Sequence, residues 1–237
     1  MILHDTIARE MRKLRDGVAR SLDRVGVSPN LLTVVGLLVN IGAGTLLALG
    51  HFRWAALTIA FAATFDTLDG ALARVSGKTS PFGAFLDSTV DRYSDTVLFA
   101  GLIVHYLQAA QISAVLLGVS ALVGSLLVSY TRARAECLIP SCEVGFFQRC
   151  ERLVALILAA LVGHMLTGLW ILATLTHWTV LVRVHHTRRT ITGRPAPPAN
   201  TVTGQLYHIV FWDFHRDSLQ YDITALVLAL CIVLLKV

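Results

Sequence analysis

Charged residues are scarce in this chain. Asp, Glu, Lys and Arg make up 15 % of its 237 residues, whereas hydrophobic residues make up 55 %. A soluble domain of this size usually carries about 25 % charged residues, so the composition argues against an ordinary soluble protein. Several apolar stretches have the length, roughly 17 to 25 residues, that crosses the hydrocarbon core of a bilayer. The sequence therefore predicts an all-α, polytopic membrane helix bundle.

Cysteine is also rare, with 4 residues in the whole chain. Cys137, Cys142 and Cys150 are predicted in or beside a cytoplasmic loop and Cys231 in a span, and disulfides do not persist in that reducing compartment. No histidine is spaced to complete a zinc site with Cys137 and Cys142. These absences argue against a disulfide-stabilised protein and against a zinc protein.

The N-terminal segment lacks an uninterrupted apolar run. Arg and Asp recur throughout residues 1–24, so we do not expect a cleavable signal peptide. Apolar residues recur there at helical spacing opposite the arginines: Ile2, Leu3, Ile7, Met11, Leu14, Val18 and Leu22. This pattern predicts an amphipathic helix on the membrane surface. Ser28, Pro29 and Asn30 are the residue types that then cap and begin a span.

The apolar segments and the basic residues together predict an orientation. The candidate spans are residues 31–50, 54–73, 83–107, 112–133, 147–165, 167–185 and 220–236, with a Pro-rich linker at 192–218 before the last. In this arrangement all of the 20 Lys and Arg residues lie on one side except Arg53 and Lys236. Because positive loops stay in the cytoplasm, the N-terminus is expected there, in a multi-pass protein of the cell membrane. The net charge of +5 then suits anionic lipid headgroups, and no nucleic acid partner is expected.

Four aspartates, Asp66, Asp69, Asp87 and Asp91, lie in or at the ends of two of these apolar segments. The first two are three residues apart and the last two four apart, so each pair occupies one face of a helix. An Asp near the bilayer centre costs roughly 2.5 to 3.5 kcal/mol, so a group of four requires a wet cavity and neutralisation. Oxygen ligands suit hard divalent cations. The spacing predicts a site for Mg²⁺ or Mn²⁺ between two helices.

The aspartates belong to a longer pattern, Asp-x2-Asp-Gly-x2-Ala-Arg-x8-Gly-x3-Asp-x3-Asp, that runs from Asp66 to Asp91. This pattern resembles, at every fixed position, the signature of the CDP-alcohol phosphatidyltransferases. The resemblance implies transfer of a phosphatidyl or archaetidyl group from CDP-diacylglycerol or CDP-archaeol to an alcohol, with release of CMP. It covers a transmembrane domain at residues 25–190. An amphipathic juxtamembrane helix precedes it at 1–24, and a linker with a C-terminal apolar helix follows at 191–237.

The resemblance also assigns roles to residues of the motif. Asp66, Asp69 and Asp87 are the expected metal ligands, and Asp91 resembles the general base for the acceptor hydroxyl, with a metal contact of its own. Metals held there would screen the pyrophosphate and stabilise the leaving CMP oxygens. Small residues leave room for a nucleotide against the helices. The expected CDP-lipid site comprises Asn30, Asp66, Asp69, Gly70, Ala73, Arg74, Thr79 and Gly83.

Arginines near one predicted cytoplasmic cavity indicate the acceptor. Guanidinium groups suit a dianionic phosphate better than a neutral alcohol or a zwitterion, so a phosphorylated polyol is expected. The stretches Ser129–Glu136 and Gly145–Arg152 resemble the inositol-phosphate branch of the family, in which a Lys replaces Arg132. Inositol 1-phosphate is therefore the predicted acceptor. The expected phosphate-binding residues are Ser129, Arg132, Arg134, Arg149, Arg152 and Arg183.

Several alternatives remain open at this point. Glycerol 3-phosphate or another alcohol could be the acceptor. A UbiA-type prenyltransferase also binds a lipid pyrophosphate through aspartates and magnesium, although neither Asp-Asp-x-x-Asp nor Asn-Asp-x-x-Asp is present. The aspartates could line a cation pathway, although His51, His105 and His164 are predicted on the far side and form no relay. The small residues could serve helix packing alone, and the arginines could only anchor helix ends.

Two further expectations concern assembly and the C-terminal extension. A homodimer is expected. In the extension, Trp212, Phe214, His215, Arg216 and Asp217 could form an interfacial platform that shapes acceptor access, although an aromatic belt is the more ordinary explanation.

Overall fold

The computed structural model describes residues 2–194 and, beyond them, Thr201, Gly204, Tyr207, Phe211, Val227, Leu230 and residues 232–234; side chains are described from Glu10 onward, except that of Met11. Seven α-helices follow one another in this part of the chain: α1 (Ile2–Arg24), α2 (Pro29–Ala48), α3 (Phe52–Val75), α4 (Pro81–Gln108), α5 (Ile112–Glu136), α6 (Arg149–Val162) and α7 (Met165–Ile191). No β-strand occurs among the described residues. The prediction of an all-α fold is confirmed.

Four helices, α2, α3, α5 and α7, are long and apolar enough to cross a membrane. The prediction of a membrane protein is thereby supported, but the count of six spans stays a prediction. Helix α4 has sufficient length yet carries Asp87, Asp91, Arg92 and Asp95. Helix α6 has 14 residues and is shorter than the predicted span at 147–165. It ends early because Gly163 adopts a left-handed conformation at φ 83°, a common helix stop.

The chain divides into two compact units, of which the first covers residues 1–101. Here α1 packs against α3 through a cluster that includes Ala19, Leu32, Ala71 and Leu72. Leu14 remains 67 % exposed on α1, as expected for a helix that presents apolar side chains to a membrane surface. A helix is thus observed where the amphipathic helix is predicted, and its place at a membrane surface stays a prediction.

Helix α4 crosses α2 at close range within the first unit. A Cβ added to Gly44 would lie 2.7 Å from Cγ1 of Val97, and one added to Gly101 would meet the backbone of Gly44. Such glycines let two helix backbones approach in an apolar environment. The two helices also begin alike. Ser28 accepts a hydrogen bond from the Leu31 amide at the start of α2, and Ser80 accepts one from the Gly83 amide at the start of α4.

The second unit covers residues 102–237. Helices α5 and α7 approach closely at Gly124, where an added Cβ would lie 2.8 Å from Cβ of Thr176. Ser120 and His177 add a polar contact of 3.2 Å between the same helices. The loop between α5 and α6 folds back on α7, and the amide of Phe147 donates to Thr179 Oγ1 over 3.4 Å. This loop positions the basic residues described below.

Candidate active site

A cavity of about 230 Å³ opens in the first unit where α2, α3 and α4 come together. All of the residues expected to bind the CDP-lipid line it, except Asp66. The lining residues are Pro29, Asn30, Thr33, Asp69, Gly70, Ala73, Arg74, Lys78, Thr79, Ser80, Gly83, Ala84 and Asp87. Residues as far apart in the chain as Pro29 and Asp87 thus meet at one site.

Two helix N-termini open into this cavity. Pro29 begins α2, and Ser80 precedes Pro81 at the beginning of α4. The first amides of a helix have no partner within the helix and carry partial positive charge, so they attract phosphate oxygens. Gly83 keeps this end of the cavity open, because an added Cβ would lie 3.2 Å from Ser80 Oγ and 3.6 Å from Asn30 Oδ1.

The cavity also receives cationic side chains. Nη1 of Arg74 lies 3.5 Å from the point where a Cβ of Gly70 would be, so the guanidinium folds over the glycine. Lys78 lines the same cavity and pairs with Asp23 of α1 at 3.6 Å. Helix N-termini and cations together make this a strongly anion-attracting site.

The carboxylates of α3 and α4 lie beside these cations. Asp69 is buried, at 5 % exposure, and its Oδ2 accepts a hydrogen bond of 2.6 Å from the Thr33 hydroxyl. Asp66 and Asp87 are close enough to Asp69 to act on it electrostatically. Asp66 Oδ1 lies 3.3 Å from the point where a Cβ of Gly36 would be, so this glycine gives the carboxylate room against α2.

Helix α4 carries a third carboxylate that the motif does not include. Asp87 and Asp91 are half-buried, and Asp95, one turn further along, is only 4 % exposed. The three share one helix face because they are spaced by four residues. Sequence reasoning missed Asp95, although the repeated spacing of four residues was a readable signal.

The four predicted metal ligands are only partly brought together. Among the described residues, no three His, Cys, Asp or Glu side chains group closely enough to hold a metal ion as they stand. Carboxylates carry like charges and repel one another at short range, which opposes the approach of these side chains to a single point. The donors Asp66, Asp69, Asp87 and Asp91 are all carboxylates. This oxygen-only set fits a hard divalent cation and suits zinc or copper poorly.

We expect Thr33 to orient Asp69, and Thr33→Val tests this. The variant removes the 2.6 Å hydrogen bond to the carboxylate but keeps the side-chain volume. Loss of such an outer hydrogen bond typically weakens metal affinity or activity by about 10- to 100-fold, so the half-saturating metal concentration should rise about tenfold. Titration of CMP release with Mn²⁺ measures it.

The matched control is Thr45→Val on the same helix. The Thr45 hydroxyl is exposed and donates to Ile41 O of its own helix, so its loss should leave the titration unchanged. Equal effects of the two variants would contradict an orienting role for Thr33.

The second unit gathers arginines around the α5–α6 loop. Arg183 of α7 is 2 % exposed, and its Nε donates to Val144 O of the loop over 3.1 Å while Nη1 donates to Val128 O of α5. Arg132 and Arg152 are close enough to Arg183 to act on it electrostatically. The structure therefore groups three of the predicted phosphate ligands, Arg132, Arg152 and Arg183.

The partners of these arginines include both carbonyl and carboxylate oxygens. Arg152 is 3 % exposed, and its Nη1 donates to the neutral carbonyl of Phe147 over 3.5 Å. Arg132 pairs with Glu136 at 2.9 Å and with Glu143 at 3.6 Å. Burial raises the pKa of the Cys142 thiol beside Arg183 above its ordinary value, so the thiol stays neutral. Guanidinium groups brought together in this way are suited to bind an anion such as phosphate.

The other predicted acceptor residues occupy different surroundings. Arg134 is exposed and lines a second cavity of about 410 Å³ with Arg183, Thr187 and Arg188. Ser129 Oγ donates to Ser125 O of its own helix over 3.4 Å, and Arg149 is the first residue of α6. Arg134 and Arg183 thus line the same cavity, and this shared cavity connects Arg134 with the other arginines.

Comparison with known proteins gives consistent results. The family model of CDP-alcohol phosphatidyltransferase matches residues 26–187. The chain is 41 % identical over 180 residues to an uncharacterized protein of Aquifex aeolicus, covering 76 % of this chain and 91 % of that one. It is 34 % identical over 187 residues to an archaetidylinositol phosphate synthase of Pyrococcus horikoshii, covering 76 % and 97 %.

Solved structures of the phosphatidylinositol phosphate synthase of Mycobacterium tuberculosis share the fold. The structure with CDP-DAG bound superimposes with a TM-score of 0.70 at 32 % identity, covering 74 % of this chain and 94 % of that one. The structure in complex with manganese and citrate gives a TM-score of 0.68 at 32 % identity, covering 73 % and 88 %. The resemblance found in the aspartate motif is confirmed, and this chain belongs to the CDP-alcohol phosphatidyltransferase family.

Proposed function

We propose that this protein transfers a phosphatidyl or archaetidyl group from a CDP-lipid to a hydroxyl of inositol 1-phosphate and releases CMP. The observation that carries the proposal is the cavity of the first unit, where two helix N-termini and Arg74 lie beside Asp69 and Asp87. Such a cavity attracts a pyrophosphate and supplies carboxylates on the adjacent helix faces. Related proteins with this chemistry in their names match most of the chain.

The reaction follows from the residues. The helix N-termini and Arg74 bind the pyrophosphate. Gly70, which has no side chain, and Ala73, which has a short one, leave room for the nucleotide. Asp66, Asp69, Asp87 and Asp91 would hold a divalent cation, which would supply charge stabilisation for the pyrophosphate and for the departing CMP. Asp91 takes the proton from the acceptor hydroxyl as its oxygen bonds to the lipid phosphorus. The bond from that phosphorus to the CMP oxygen breaks, and CMP leaves.

The arginines of the second unit favour a phosphorylated acceptor. Arg132, Arg152 and Arg183 form a group of buried or half-buried guanidinium side chains, of which Arg152 and Arg183 donate to backbone carbonyls. A dianionic phosphate satisfies such a group, whereas serine or free inositol does not. Glycerol 3-phosphate is the closest competitor because it carries the same dianion on a smaller body.

Family membership excludes the other interpretations of the aspartates. A UbiA-type prenyltransferase and a cation pathway would both use intramembrane carboxylates, but the family model covers residues 26–187, including the whole motif. The phosphatidylinositol phosphate synthase of Mycobacterium tuberculosis has been solved in complex with manganese and citrate, and we infer that this chain uses Mg²⁺ or Mn²⁺ at its aspartates.

The test is a comparison of acceptors. Purified protein with CDP-diacylglycerol and Mn²⁺ should release CMP with inositol 1-phosphate at least tenfold faster than with glycerol 3-phosphate, serine or free inositol, since a single charge-assisted phosphate contact is worth about 1.5 to 3 kcal/mol. A chelator should abolish release. Faster release with free inositol or serine would refute the acceptor, and release that survives chelation would refute the metal-dependent mechanism.

Orientation and assembly belong to the same proposal. The distribution of Lys and Arg supports a cytoplasmic N-terminus and a cytoplasmic active site, where water-soluble acceptors are available. One-sided labelling of the exposed Cys137 in sealed vesicles tests this orientation. We further propose six family spans and a seventh near the C-terminus, on the evidence of the apolar segments. The expected homodimer stays a prediction.

A further inference from the structure

The C-terminal extension contacts α7 at two distant places. It lies beyond residues 26–187, which the family model matches. Tyr207 and Phe211 contact His185 and Arg189 near the C-terminal end of α7. The carbonyl oxygen of Ile232 lies 3.0 Å from Nδ1 of His164, the residue before α7. His164 and His185 are about 32 Å apart along the helix, close to the thickness of a bilayer core.

The contact near the C-terminal end is the more extensive one. The rings of His185 and Phe211 stack with centroids 4.1 Å apart and an angle of 20°. Tyr207 packs against Phe211 at 4.7 Å, and the guanidinium of Arg189 lies over the Tyr207 ring at 4.7 Å. The Phe211 amide donates to Tyr207 O over 2.8 Å, so the two rings come from one helical turn. We call these four residues the aromatic contact.

The aromatic contact lies on the side of α7 opposite to Arg183. Residues 183 and 185 differ by about 200° around the helix, so Arg183 and His185 occupy opposite sides of α7. On its own side, Arg183 is tied to Val144 O and Val128 O. On the opposite side, Phe211 covers His185, whose Nε2 is buried and makes no hydrogen bond to any residue that the structure describes. The segment of α7 that carries Arg183 is therefore held from both sides.

We propose that Tyr207 and Phe211 are positioning residues for the acceptor site, and that they act through His185 and Arg189 to fix the place of Arg183. This inference rests on the proposed function, since it assumes that Arg183 contacts the acceptor phosphate. Neither ring touches the acceptor. Their effect is to keep the end of α7 from shifting away from the loop and from α5, which would move the guanidinium.

The test measures the acceptor and the CDP-lipid separately. Phe211→Ala and His185→Ala should each raise KM for inositol 1-phosphate about five- to tenfold, because small displacements of a positioning group are costly in an oriented site. KM for the CDP-lipid should stay within about twofold of wild type, since that site lies on other helices. His185→Phe keeps the stacking and should restore the wild-type KM.

Two controls make the test specific to the contact. Leu230→Ala removes an exposed apolar side chain from the same extension and should have no effect. The double variant His185→Ala with Phe211→Ala should be no worse than either single variant, because both remove the same interaction. An unchanged acceptor KM, additive effects, or a parallel rise in KM for the CDP-lipid would overturn the positioning role. Absence of any preference for phosphorylated acceptors in the wild-type protein would instead refute the proposed function.

Discussion

Asp91→Asn is expected to abolish CMP release while CDP-lipid binding persists. The variant keeps the shape of the side chain but removes the group that takes the proton from the acceptor hydroxyl. General base catalysis contributes about 10²- to 10⁴-fold, and turnover should fall by that amount. CDP-lipid binding, measured without acceptor, should change little because Asp91 does not line the cavity of about 230 Å³ where the nucleotide is expected.

The matched control is Asp16→Asn on α1. Asp16 pairs with the neighbouring Arg15 at 2.9 Å and lies outside the site, so its substitution should not affect turnover. Asp87→Asn provides the contrast, because a cavity-lining carboxylate should affect CDP-lipid binding as well as turnover. If Asp91→Asn kept more than about a tenth of wild-type turnover, its role as general base would be refuted.

The aspartate motif shows what spacing can predict. The separations of three and four residues indicated helix faces, and Asp69 and Asp87 do line one cavity. The hydrogen bond from Thr33 to Asp69 could not be predicted, because it joins residues 36 positions apart and depends on how α2 packs against α3. Spacing also does not determine rotamers, and among the described residues no three His, Cys, Asp or Glu side chains group closely enough to hold a metal ion as they stand.

Helix boundaries illustrate a different limit. The apolar run from 147 to 165 suggested one span, but the observed helix α6 occupies only Arg149–Val162. Hydropathy is insensitive to a single glycine, whereas the backbone of Gly163 turns left-handed and stops the helix. Gly163 and His164 could have indicated the end of this helix, but the apolar residues on both sides suggested that it continued.

The grouping of Arg132, Arg152 and Arg183 could be predicted even less well, because it depends on tertiary structure. Arg183 stood out in the sequence only as a charge at the end of an apolar run. Its ties to Val144 and Val128 exist because the α5–α6 loop folds onto α7, where Gly145 has a φ of 95° and lies against Thr179. In the extension, the proposed platform at Trp212–Asp217 lies outside the described residues, and the contacts that the structure does describe come from Tyr207 and Phe211.

Arg152→Ala is expected to lower kcat/KM for inositol 1-phosphate about 100-fold. A charge-assisted contact to phosphate contributes about 1.5 to 3 kcal/mol, and each 1.4 kcal/mol corresponds to a factor of about ten. Arg152 lies at the upper end of this range because it is only 3 % exposed and water screens it little. Arg134→Ala should have a smaller effect, about tenfold, since Arg134 is exposed and more strongly screened.

The acceptor dependence separates a lost phosphate contact from a lost fold. Arg152→Ala should leave KM for the CDP-lipid and the small residual activity with free inositol unchanged, because neither involves the acceptor phosphate. Arg152→Lys keeps the charge but loses the planar fork, so its kcat/KM should fall between the alanine variant and wild type. Arg24→Ala removes the same charge from an exposed position on α1 and is the control for general electrostatic attraction. If the three alanine variants and Arg152→Lys all had the same kcat/KM for inositol 1-phosphate, Arg134 and Arg152 would not bind the acceptor phosphate. The acceptor would then have to be sought among unphosphorylated alcohols.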